Sequence, residues 1–142
     1  MEIGKFIFPE ELYYDQTHCW VRIEGNVATQ GLSDFGQHIA REIAFVELPR
    51  LGRKVQQGVQ FMSIESGKWV GRLPALLSGE TVEVNTEVEW EPERLNQFPY
   101  DDGGLVKIRF EDPSELDNLM RPGTDAFSAF IASETEKYAD IL

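Results

Sequence analysis

Residues 61–73 read FMSIESGKWVGRL, and this stretch sets the architecture of the chain around it. Two strand-like runs flank Gly67 and Lys68, and Gly71 follows three residues after the lysine. Glycine next to a polar residue between such runs predicts a tight hairpin. Lys68 then stands at the tip, pointing into solvent and held by rigid strands. That presentation suits an enzyme that must find and acylate one amine. The chain has five lysines, Lys5, Lys54, Lys68, Lys107 and Lys137, so an isolated one on a turn stands out. By local spacing alone, a solubilising role is the commoner fate of such a residue.

Outward from the hairpin, short strands recur. Residues 18–32, HCWVRIEGNVATQGL, alternate, with Trp20, Arg22 and Glu24 on one side and Val21 and Ile23 on the other. Gly25-Asn26 between two alternating runs predicts a second hairpin. Residues 42–49, EIAFVELP, predict a strand with both faces partly buried. VQFMSIES (59–66), TVEVNTEVEW (81–90) and GLVKIRFED (104–112) predict three more. PEELYYDQ (9–16) is ambiguous and reads as a helical turn, and the polar run 91–104 reads as a surface loop.

Helices are few. Ser33 is an N-cap for a short helix through Ile39 and Ala40, weakened by Gly36. At 112–116, DPSEL offers Asp112 as cap, Pro113 in the first turn and Glu115 to close a capping box. From Thr124 onward, Ala126, Phe127, Phe130, Ile131 and Tyr138 form the stripe of an amphipathic helix packed on a body. The expected fold is mainly β, one domain over residues 1–142, with short helices and a helical C-terminal segment.

Composition narrows function. The 142 residues carry 13 basic and 25 acidic side chains, for a net charge of −12. Such a chain repels phosphate backbones, so nucleic acid is not an expected partner. No run nears the ~20 apolar residues of a membrane span, so no membrane partner is expected either. The first residues, MEIGKFIFPEE, lack the features of a secretory or transit signal, which implies a cytoplasmic setting. A single cysteine, Cys19, and two histidines exclude a disulfide framework and leave no expected metal site. No phosphate loop and no nucleophile–base arrangement is present. The chain reads as a protein that is not an enzyme.

Several segments together resemble the H protein of the glycine cleavage system. They are HCWVRIEGNVATQGLSDFGQ (18–37), AFVELPRLGRKVQQGVQFMSIESGK (44–68), SGETVEVNTEV (78–88), NQFPYDDGG-LVKI (96–108) and DPSELDNLM (112–120). The resemblance runs in order from about Tyr14 to about Met120. It implies a flattened β-barrel, the barrel-sandwich hybrid, with a modified lysine on a hairpin. It implies lipoate in amide linkage on Lys68, a swinging arm that shuttles intermediates between enzymes. A tether raises the local concentration of the reactive group and prevents its loss. The chemistry then belongs to partner enzymes. A biotinyl domain fits less well, since methionines flank the lysine there and Gly67 and Trp69 flank it here. The resemblance also implies a lipoate-attaching ligase or transferase, for which Glu65 and Gly67 are the expected recognition elements.

Departures from the family pattern bear on cargo. That family shelters a cationic aminomethyl group with a Glu before the Trp of its HEW-like motif and an Asp four residues past the lipoyl lysine. Cys19 and Arg72 stand at those positions, and Gly104 stands where the family often has Trp. A guanidinium in place of a carboxylate disfavours an ammonium and favours an anion. The pattern is similar to H-protein-like lipoate-binding proteins of bacterial and archaeal sulfur oxidation. The expected main partner is then a heterodisulfide-reductase-like complex, with an anionic sulfur cargo beside Arg72. The alternative is a glycine cleavage H protein working with glycine decarboxylase, aminomethyltransferase and dihydrolipoamide dehydrogenase. His18, Cys19, Trp69 and Arg72 form the expected surroundings of the arm. Each also has a plainer reading. Cys19 suits a packed small hydrophobe, His18 a surface hydrogen-bonder, and Trp69 packing along the hairpin.

Overall fold

The computed structural model describes residues 1–142. In chain order the elements are β1 (Glu2–Ile3), β2 (Phe6–Ile7), β3 (Tyr13–Tyr14), β4 (Cys19–Glu24), β5 (Val27–Leu32), α1 (Asp34–Ala40), β6 (Ile43–Glu47), β7 (Lys54–Val55), β8 (Gln60–Ser66) and β9 (Val70–Pro74). Then follow β10 (Gly79–Val84), α2 (Glu87–Trp90), α3 (Arg94–Gln97), β11 (Gly104–Phe110) and α4 (Asp125–Lys137), with a 3₁₀ turn at Pro113–Asn118. Strands β3-β4-β5-β11-β10-β7 form one sheet and β6-β8-β9 another, with β1-β2 as a small hairpin. The two larger sheets face one another without closing into a continuous barrel. Between them lies a core of Val21, Ala28, Leu32, Phe61, Ile64, Leu73, Val106, Ile108 and their neighbours. No helix is long and apolar enough to cross a membrane.

Local chemistry explains most elements. Gly25 takes φ +63° at the turn between β4 and β5, which glycine does without steric cost. Ser33 caps α1, its Oγ accepting the Gly36 N–H at 3.1 Å. Thr124 caps α4 in the same way through Phe127 N–H at 3.3 Å. Phe127 and Ile131 of α4 are buried, whereas Ala126 is exposed. They join Phe8, Tyr14, Trp20 and Phe35 in a second, aromatic core at one end of the molecule.

Four expectations need correction. Residues 9–16 hold no helix, because Tyr13 and Tyr14 pair with Val21 and Trp20 as strand β3. The strand expected through Trp90 ends at Val84, and Val88 is buried by the helical turn α2. The expected loop 91–104 contains α3, anchored by the buried Leu95. Glu115 closes no capping box. Its carboxylate instead accepts from Ser78 N–H at 2.8 Å and Ser78 Oγ at 2.7 Å, tying the turn to β10. In addition, β6 is an edge strand with one face largely open rather than a strand with both faces partly buried, and its Phe45 is 69% exposed.

Candidate functional site

The hairpin β8-β9 is built by register. Glu65 pairs with Val70, Ile64 with Gly71, Ser63 with Arg72 and Met62 with Leu73. Side chains alternate across the sheet. Ile64 and Leu73 therefore enter the core while Ser63, Glu65, Val70 and Arg72 face outward. Ser66 N–H donates to the Trp69 carbonyl at 2.8 Å and closes the turn. Lys68 N–H donates to Ser66 Oγ at 3.2 Å. Lys68 is exposed and forms no ion pair. The turn thus fixes the lysine backbone and leaves the amine free. An acyl group can be attached to it without breaking an ion pair or a side-chain hydrogen bond.

The neighbours of the acceptor divide into two sets. Glu65 and Gly67 stay exposed on the turn and strand beside it. A Cβ on Gly67 would meet nothing within 4 Å, so no packing constraint demands glycine there. Trp69 is half-buried and turns inward, packed against the main core. Its ring covers Gly71, where a Cβ would fall 2.0 Å from the indole. Packing along the hairpin therefore accounts for Trp69. Arg72 is exposed and its guanidinium makes no ion pair.

His18 and Cys19 lie in a different environment. His18 is buried, with φ +70°, and its ring stacks on Phe35 at 4.9 Å and lies tilted against Phe130 at 5.1 Å. Its Nε2 lies 2.7 Å from Glu134 Oε1 of α4. Burial lowers the imidazole pKa, and the Glu134 contact opposes that in part. The neutral ring then donates from Nε2 to the carboxylate. So the side-chain partners of His18 come from α1 and α4. Cys19 is fully buried in the main core, and burial pushes its thiol far above the ordinary range. Held inside the core, the thiol presents no surface from which to meet a disulfide.

Sequence reasoning missed Asp15. Its carboxylate accepts Thr17 N–H at 3.0 Å, Thr17 Oγ1 at 2.7 Å and Cys19 N–H at 3.1 Å, and burial raises its pKa. The Asp-x-Thr spacing of an Asx turn was the available signal. It also missed Phe45 and Glu47. They stand opposite Glu65 and Ser63 on β8, so they share the outer face with the hairpin.

A two-sheet β fold that presents one exposed lysine on a closed hairpin turn is compatible with a carrier module. The profile of the "Glycine cleavage H-protein" family matches residues 12–130, and the chain belongs to that family. It is 43% identical over 121 residues to the glycine cleavage system H protein of Symbiobacterium thermophilum, covering 84% of this chain and 94% of that one. It is 44% identical over 108 residues to the namesake from Rubrobacter xylanophilus, covering 76% and 86%. Among solved structures, a glycine cleavage system H protein from Mycobacterium marinum superposes with a TM-score of 0.75 at 25% identity, covering 89% of this chain and 98% of that one. The fold is thus the barrel-sandwich hybrid of that family. Its members are non-catalytic carriers that hold lipoate covalently on a lysine and shuttle intermediates between enzymes. An exposed, unpaired lysine on a turn fits that group.

Proposed function

We propose that this chain is a single-domain lipoyl carrier, acylated on Lys68, that serves a glycine cleavage system in the cytoplasm. One observation carries the assignment of Lys68. Its amine is unpaired and exposed on a closed turn, in a strand pair whose inner face is locked into the core. Lipoate would supply a dithiolane that accepts and releases cargo, and the chain would supply position and a tether. Glu65 and Gly67, exposed beside the lysine, are proposed as contacts for the lipoate-attaching enzyme. The names of the relatives support glycine decarboxylase, aminomethyltransferase and dihydrolipoamide dehydrogenase as partners. The proposal is tested by intact mass spectrometry after co-expression with a lipoate ligase and lipoate. One lipoyl increment, mapped to Lys68, is expected, and an unmodified chain would sink the carrier reading. Loading with aminomethyl by glycine decarboxylase and glycine then tests the pathway.

A second reading has one observation behind it. Arg72 occupies the position where the family pattern places a carboxylate, and it is exposed without an ion-pair partner. That favours an anionic sulfur cargo and a heterodisulfide-reductase-like partner. The buried Cys19 adds no support to it. Failure of aminomethyl loading on a fully lipoylated sample would favour this reading over the first.

A further inference from the structure

Residues 87–94, EVEWEPER, set four glutamates and one arginine around Trp90. Trp90 is 87% exposed. The fold uses the other two tryptophans. Trp20 is fully buried, its Nε1 donating to the Leu32 and Pro99 carbonyls at 3.1 and 3.0 Å, and Trp69 packs along the hairpin. An indole left in water gains nothing from burial, although it has one of the largest apolar surfaces to cover. It is also the best ring for a cation. Cations lie over Phe6, Trp20, Tyr13 and Tyr138, and none lies over Trp90. The segment that presents the ring is anchored. Val88 of α2 and Leu95 of α3 are buried. Arg94 ties the two turns to each other and to the next loop, meeting Glu91 at 2.7 Å, Glu87 at 3.5 Å and Asp102 at 3.2 Å.

We propose that Trp90 and the carboxylates around it form a docking surface for a lysine- and arginine-bearing patch on one of the enzymes that visit the arm. The inference rests on the carrier reading but not on the pathway. Charge selects the occupant. Arg94 engages Glu87 and Glu91, whereas Glu89 and Glu93 are exposed and make no ion pair. Glu87 and Trp90, three residues apart on α2, lie on one side of the turn. Glu87 also lines a recess of about 360 Å³ with Glu83 and Asp101. The one cation lining that recess, Lys107, is paired with Glu83 at 3.3 Å. A basic side chain entering the recess meets carboxylates, while an apolar or cationic neighbour on the same partner covers the indole. A second copy of this chain does not fit, because it would bring the same glutamates and a net charge of −12 against them. The surface is separate from the acceptor. α2 packs beside β6, the strand next to β8 of the hairpin. Anchor and acceptor thus belong to different elements, so docking and acylation can be broken separately.

The test uses the full lipoylated chain with the photo-cross-linking amino acid p-benzoylphenylalanine in place of Trp90. It is irradiated with purified glycine decarboxylase, aminomethyltransferase and dihydrolipoamide dehydrogenase in turn. A cross-link to at least one of them is expected, in a peptide that carries lysine or arginine. The Kd of the unsubstituted carrier for that enzyme should rise about tenfold or more in Trp90→Ala, the loss of one aromatic hot spot. It should also rise with added salt and in the double variant Glu89→Lys/Glu93→Lys. The same change of net charge at Asp117 and Glu136, exposed residues on other elements, should leave it near the parent value. No cross-link to any of the three enzymes, or a cross-link only to a second copy of the chain, would overturn the proposal. So would a Kd unmoved by Trp90→Ala, or an equal loss from the Asp117 and Glu136 changes, which would assign the effect to net charge alone. Aminomethyl loading of the same lipoylated sample reports separately on the pathway. A chain that is loaded but not cross-linked keeps the proposed function and loses the docking site. One that is not loaded, yet is cross-linked through position 90 to dihydrolipoamide dehydrogenase, keeps the site and loses the pathway.

Discussion

The hairpin end and the helix end of this molecule are built on opposite terms. At the hairpin, only the inner face is committed. Ile64, Met62 and Leu73 are buried, while Phe45, Glu65, Val70 and Lys68 remain open to solvent. At the other end, α4, α1 and the N-terminal hairpin enclose Phe6, Phe8, Tyr14, Phe35 and Phe127, with paired rings 4.8–5.8 Å apart in tilted and edge-on arrangements. Such packing adds about 0.5–1.5 kcal/mol per aromatic pair beyond the area buried. The comparison teaches a division of labour. One end concentrates stability so that the other can leave its reactive residue free.

Lys68→Arg should produce the largest effect on that division. It should remove the lipoyl increment completely, seen by intact mass, while the urea midpoint stays within about 0.5 kcal/mol of the parent, as expected of a surface change. Phe127→Ala should do the converse. A buried aromatic cut to alanine costs about 3–5 kcal/mol, read as a lower urea midpoint, whereas lipoylation of the folded fraction should be unchanged. Loss of lipoylation in Phe127→Ala would break the proposed independence of the two ends.

The third prediction concerns pH. His18 and His38 both have folded-state pKa values below the ordinary 6.5. The unfolded chain therefore binds more protons than the folded one as pH falls through about 6.5. Their contribution to stability is intact above that pH and is lost progressively below it. Asp15, whose pKa is raised, acts in the opposite sense at lower pH. The decisive measurement is therefore the difference between the parent and His18→Gln from pH 7.5 to 5.5. The variant should show the flatter profile, and equal slopes would remove His18 from the docking of α4. The smallest effect is expected at Cys19. The native protein should not react with iodoacetamide, and Cys19→Ala should leave lipoylation unchanged. Rapid alkylation of the native chain would show that the core opens around β4.

Much of the hairpin end was legible because its signals are local. Gly67 and Gly71 around the lysine, and alternation on either side, need only neighbouring residues. The helix end was less so. The stripe Phe127, Phe130, Ile131 announced an amphipathic helix, but its partner surface did not show. His18 meets Glu134, 116 positions away, and no spacing rule links them.

The sequence by itself determined the strand alternation, the two turns at Gly25-Asn26 and Gly67-Lys68, the helix cap at Ser33, the helix that follows Thr124, and the family. These depend on side chains within a few residues of one another, or on order along the chain. Only the tertiary structure decided which residues are accessible. It buried Cys19 and His18, turned Trp69 inward over Gly71 and left Phe45 exposed on an edge strand. Burial and non-local contact arise when sheets stack and helices dock, and that happens between segments far apart in the chain.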